Sequence, residues 1–117
     1  MKGGKAMRMC YISHPYTGNE ERNREDAARI QAELQVKFQS KLFVNPIANF
    51  AALKGMSYAQ IMAYCLELLN RCDEVVFADD YHESRGCMME MSVARNKNLP
   101  IYSYVDGTMV PTSQEGR

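Results

Sequence analysis

The chain has 117 residues, enough for one domain with a real core, and fourteen acidic residues balance fourteen basic ones. That balance excludes an overall field drawing the protein to nucleic acid or anionic lipid. The apolar runs are far short of a bilayer span, and Met1-Lys2-Gly3-Gly4-Lys5 leads into no signal-peptide core, so a cytoplasmic protein without a membrane partner is expected.

Met7 to Ser13 reads as the first strand, closed by Pro15 and Gly18. Asn19 or Thr17 then caps a helix with Glu20 and Glu21 in its first turn, where the dipole favours them. Ala27, Ile30, Leu34 and Phe38 give this helix one apolar face. Leu42 to Ile47 is short and apolar, as a strand covered on both faces should be. Residues 48 to 56 form a loop ending in Gly55.

Ser57-x-x-Gln60 is a capping-box pattern, and Tyr58, Ile61, Met62, Cys65, Leu66 and Leu69 form the stripe of the second helix. Asp73 precedes a third strand, Glu74 to Ala78, and a polar segment runs from Asp79 to Arg85. A third helix is expected from about Gly86 to Lys97, stopped by Asn98, and a fourth strand from Pro100 to Val105. From Asp106 onward a frayed tail is expected, so the core spans about residues 7–105 of a single domain. A fifth strand has to come from a stretch read here as loop or tail. The order βαβαβαβ argues for an α/β fold, a parallel sheet with right-handed crossovers and helices on both faces.

Cys10, Cys65, Cys72 and Cys87 form no C-x-x-C pair and lie in apolar stretches, and His14 and His82 stand alone. Buried free thiols account for this better than a metal, and neither metal nor cofactor is expected. No G-x-G-x-x-G, P-loop or G-x-S-x-G pattern occurs, which argues against dinucleotide binding, P-loop phosphoryl transfer and α/β-hydrolase chemistry.

Ligands of open parallel sheets bind beyond the carboxyl ends of the strands. Four segments fall there: Ser13 to Gly18, Asn45 to Gly55, Asp79 to Gly86, and Asp106 to Thr108. Glu90 is the leading candidate within reach of them. Its place in the first turn or so of the third helix predicts a carboxylate kept ionised by free N–H groups and the dipole. Acidic residues also favour helix starts for stability alone. Gly86 permits close backbone approach, Ser84 offers a hydroxyl, and Tyr11 can reach Glu90 across the strand ends.

The ordered set Tyr11-Ile12-Ser13-His14-Pro15-Tyr16-Thr17-Gly18, Asn23, Val44-Asn45-Pro46, Cys72-Asp73 and Ser84-x-Gly86-x-x-x-Glu90-x-x-x-Ala94 resembles the nucleoside 2-deoxyribosyltransferase-like superfamily, most nearly its small phage and bacterial branch. The resemblance implies a flavodoxin-like (Rossmann-like) three-layer sandwich with a four- or five-stranded parallel sheet. It implies chemistry on a small-molecule nucleoside or nucleoside 5′-monophosphate, not on a nucleic acid polymer. Glu90 would be the nucleophile on the anomeric carbon, forming a glycosyl ester resolved by a second base or by water. Tyr11 would orient it. Ser13, His14, Pro15, Asp79, Ser84 and Gly86 would contact substrate. Ser84 stands where the superfamily's nucleotide hydrolases place a serine near the 5′-phosphate, which tilts the reading toward hydrolysis.

The chain departs from the pattern in places. The superfamily's proton-donating aspartate would fall on Cys65, no Asp occurs in residues 57 to 72, and Glu67 points about 200° from Cys65 on an ideal helix. His14 stands where a glycine is usual. His14 or His82 would then supply the proton, and a non-catalytic nucleotide or nucleotide-sugar binding module is the alternative. Superfamily sites are completed by a C-terminal segment of the neighbouring subunit, and little chain follows the fourth strand to supply one. A homo-oligomer is implied, a dimer first.

Overall fold

The computed structural model describes residues 7–112. Strand β1 (Arg8–Ser13) leads into α1 (Glu20–Lys37), β2 (Lys41–Val44) and the short α2 (Pro46–Asn49). Helix α3 (Tyr58–Asn70), β3 (Glu74–Phe77), a 3₁₀ turn (Tyr81–Glu83), α4 (Arg85–Asn96), β4 (Ile101–Val105) and β5 (Thr108–Pro111) complete the order. The strands lie as β2-β1-β3-β4-β5. The first four are mutually parallel, and β5 runs antiparallel to β4. The expected α/β architecture is present, with strand order reversing between β1 and β3.

Alternation along the strands sorts the core into two layers. Cys10, Ile12, Val76 and Tyr104 face Ile30 and Leu34 of α1. Tyr11, Val75, Phe77 and Ile101 face Cys65 and Leu69 of α3 and Cys87, Met91 and Ala94 of α4. The result is three layers.

Two expectations are corrected. The tail after Asp106 is not frayed up to residue 111: it supplies β5, so the sheet is mixed rather than wholly parallel. Asp106 and Gly107 have φ of 48° and 82°. Two consecutive positive-φ residues make a tight hairpin, whose twist suits antiparallel strands and which is too short for a parallel crossover. The second strand also stops at Val44, short of Ile47. Asn45 turns out to cap α2, accepting from the Ala48 N–H at 3.3 Å, and Pro46 takes the first helical position, where a missing N–H costs nothing.

Helix boundaries follow local chemistry. Ser57 and Gln60 form the expected capping box, with Oγ accepting from the Gln60 N–H at 3.1 Å and the Ser57 N–H donating to Oε1 at 3.0 Å. Met62, Cys65 and Leu69 are buried from the predicted stripe of α3, whereas Tyr58 at its first turn is half exposed. Asn98, at φ 58°, ends α4: its N–H reaches the Arg95 carbonyl and the Leu99 N–H reaches that of Ala94, a Schellman closure. Asn19 precedes α1 but makes no side-chain cap bond.

At the amino end of β3, Glu74 is 1% exposed and neutralised twice, by Arg8 Nε at 3.0 Å and Lys41 Nζ at 2.5 Å. This pairing ties three strands together at the end of the sheet opposite the candidate site.

Candidate active site

Parallel pairing brings the carboxyl ends of β1 and β3 together, with Ser13 level with Phe77. That is the point of strand-order reversal, where open sheets leave room for ligands. Helix α4 starts just beyond β3, capped by Ser84, whose Oγ accepts from the Cys87 N–H at 3.1 Å. Its inward face carries Cys87, Glu90, Met91 and Ala94.

Glu90 is 5% exposed, and both carboxylate oxygens are taken. The fully buried Tyr11 hydroxyl donates to Oε2, and that of Ser13, also fully buried, donates to Oε1 at 2.6 Å. Glu90 is the sixth residue of α4, one position further in than a start at Gly86 implied, and its oxygens are bonded by Tyr11 and Ser13 rather than by N–H groups of the helix start. Burial pushes its carboxyl up from the usual range, and the Ser13 and Tyr11 bonds pull it partly back. The expectation of a carboxyl held ionised is corrected in direction: burial outweighs the two hydroxyl bonds and raises it.

Two thiols flank this unit. Burial and the Glu90 charge push Cys65 up to about 11, while a hydrogen bond with Tyr11 lowers it. Burial likewise pushes Cys87 up to about 11, opposed by bonds with Ser13 and Ser84. Burial, then Glu90 and Cys65, hold the Tyr11 phenol well above its ordinary value. The centre is a five-membered chain, Cys65–Tyr11–Glu90–Ser13–Cys87, with one carboxyl among four weak acids.

The remaining candidates lie around it. His14 turns toward α1: Nδ1 is 2.7 Å from the Pro15 carbonyl and Nε2 2.7 Å from Asp26 Oδ2. Both partners are acceptors, so the ring bridges loop to helix. His82 is exposed on the 3₁₀ turn, with its ring against Tyr81. Asp79 is exposed at the rim. Gly86 faces α3, where an added Cβ would meet Met62 Sδ at 3.3 Å and Tyr58 Oη at 3.4 Å.

Cys87 and Asp26 were not foreseen. Cys87 lies three residues before Glu90 on one helix face, a spacing that brings side chains together and could have marked it. Nothing in the spacing of Asp26 from His14 pointed to their contact. Among the described residues no cluster of three or more His, Cys, Asp or Glu side chains could hold a metal ion, and no helix is long and apolar enough to cross a membrane.

A conserved protein from Enterococcus faecalis V583 shares this fold, with a TM-score of 0.69 at 20% identity over 86% of this chain; the match spans 65% of that chain. A 2-deoxyribosyltransferase from Bacillus psychrosaccharolyticus superposes with a TM-score of 0.65 at 11% identity, over 90% of this chain and 99% of that one. The resemblance to deoxyribosyltransferases thus holds at the level of the fold. The comparison with curated proteins found no match. Residues 8–103 match the family described as domain of unknown function DUF4406, and the chain belongs to that family.

Proposed function

We propose that this protein cleaves or transfers the N-glycosidic bond of a nucleoside or nucleoside 5′-monophosphate, with Glu90 as covalent nucleophile. The observation that carries the reading is a carboxylate at the strand-reversal point with each oxygen held by a neutral hydroxyl, Tyr11 and Ser13. Such a pair of donors fixes the carboxylate's orientation and opposes the cost of ionising it where it is buried. An oxygen of Glu90 attacks C1′, the base departs, and water or a second base resolves the ester. The fold shared with a 2-deoxyribosyltransferase supports the reading. Pro15, Asp79, Ser84 and Gly86 are proposed to border the substrate, and a dimer is proposed to complete the site. Light scattering that returns the mass of one chain throughout the micromolar range would remove the dimer.

The test is base release from a panel of ribo- and deoxyribonucleosides and their 5′-monophosphates, with and without a second free base. Release that requires Glu90 supports the reading, and its dependence on the added base separates transfer from hydrolysis. A second reading, a nucleotide-binding module without turnover, is favoured by the 5% exposure of Glu90 and by a thiol at Cys65 in place of a stronger acid. Binding by wild type and Glu90→Gln alike, with no release by either, would select it.

A further inference from the structure

Glu90 is a buried carboxylate whose two partners are neutral. The ion pairs among the described residues join Glu74, Asp26, Glu33 and Glu67 to their cations, and none of these reaches Glu90. A buried anion without a cation is costly, and hydroxyl donors offset that cost only in part. When ionised, Glu90 has no cation beside it among the described residues.

The site is also short of an acid. The protic groups around Glu90 are the Tyr11 phenol, the Ser13 hydroxyl and the thiols of Cys65 and Cys87, all weak proton donors near neutrality. His14 is committed to Asp26 and the Pro15 carbonyl, on the α1 side. A neutral base leaving its sugar takes the bonding electron pair as an anion unless a general acid protonates it. Among the described residues, nothing lining this carboxylate does that well.

One class of substrate meets both shortages. We infer that Glu90 acts on N-glycosides whose base carries a formal positive charge conjugated with the glycosidic nitrogen, a pyridinium or an N-alkylated purine, in preference to neutral nucleosides. The inference rests on the glycosyl-carboxylate reading above and narrows its substrate. The cationic base supplies the missing opposite charge and favours ionised Glu90 as it enters. Attack by the carboxylate oxygen forms the C1′–O ester bond. The C1′–N bond breaks and its electron pair returns to the base nitrogen, cancelling the positive charge. The base leaves neutral, without a proton from the protein. Water then adds hydroxyl to C1′, releasing one proton to solvent and regenerating Glu90.

The experiment compares kcat/KM of the full chain at pH 6 for nicotinamide riboside, its 5′-monophosphate and 7-methylguanosine against uridine, thymidine and inosine. Base release is followed by chromatography, with Glu90→Gln alongside. The expected result is release from the cationic set at least about 100-fold faster, abolished in Glu90→Gln, since a tenfold change is only about 1.4 kcal/mol of barrier. Equal or faster Glu90-dependent release from the neutral set overturns the charge preference and leaves the glycosidic function standing. Release from neither set, or release indifferent to Glu90, overturns both.

Discussion

The hydroxyl of Ser13 lies 2.6 Å from Oε1 of Glu90 although 77 positions separate them in sequence. With the Tyr11 hydroxyl on the other oxygen, it opposes the burial that raises the Glu90 carboxyl above its ordinary range. The arrangement makes definite predictions.

Removing either hydroxyl raises the Glu90 pKa, because both bonds favour the charged form. In Ser13→Ala and Tyr11→Phe, the acidic limb of the pH–rate profile is expected to move to higher pH. Turnover at pH 6 falls more than turnover at pH 8. A limb that stays in place in both variants removes the assigned role of the hydroxyls.

Glu90→Gln is expected to abolish turnover, a loss of at least about 10³-fold, while raising stability at neutral pH. The folded pKa of Glu90 is raised above its unfolded value. Its contribution to stability is therefore full below the unfolded pKa and lost as pH rises through the folded one. Glutamine has no such loss, and the hydroxyls can rotate to suit an amide. Urea midpoints should favour the variant at pH 7 and converge toward wild type near pH 4.

Asp26 carries the opposite sign. Burial raises its pKa, but hydrogen bonds from His14 and Arg29 outweigh that and hold it below the usual carboxylate range. Its stabilisation is present above the unfolded pKa and lost as pH falls through the folded one. Asp26 is 38% exposed, so solvent screening limits the effect to below about 1 kcal/mol. Asp26→Asn should show a shallower decline in stability between pH 5 and pH 3 than wild type, read from thermal midpoints; an equal decline refutes the coupling.

Lys41→Met leaves the nearly inaccessible Glu74 with Arg8 alone. Leaving a buried charge wholly uncompensated costs about 3 kcal/mol or more, and Arg8 still pairs with Glu74 here. A smaller fall in unfolding free energy, of about 1–2 kcal/mol, is expected. Any folded variant should keep its activity, since this cluster lies at the far end of the sheet.

Gly107→Ala tests the hairpin that makes the sheet mixed. At φ 82° a side chain is strained, although nothing lies within 4 Å of an added Cβ. A loss of about 1 kcal/mol is expected, and faster amide exchange along residues 108 to 111 should accompany it. Unchanged exchange there would show that β5 does not depend on this turn.

By itself the sequence determined the elements that local chemistry governs. The capping box at Ser57 and Gln60, the helix stop at Asn98 and the apolar stripes of α1 and α3 depend on groups a few residues apart, so spacing exposes them. It placed Glu90 and Tyr11 at the same end of the sheet, because strand alternation and crossover rules leave little choice. Asp106-Gly107 was legible as a hairpin turn too, and reading it as the start of a tail missed β5. Only the tertiary structure decided that Ser13 is the second partner of Glu90, that His14 is drawn to Asp26, and that Gly86 faces α3. It also decided that the carboxylate is raised by burial rather than held ionised by the helix end. These depend on desolvation and on contacts between elements far apart in the chain, and such terms arise only when the layers close around one another.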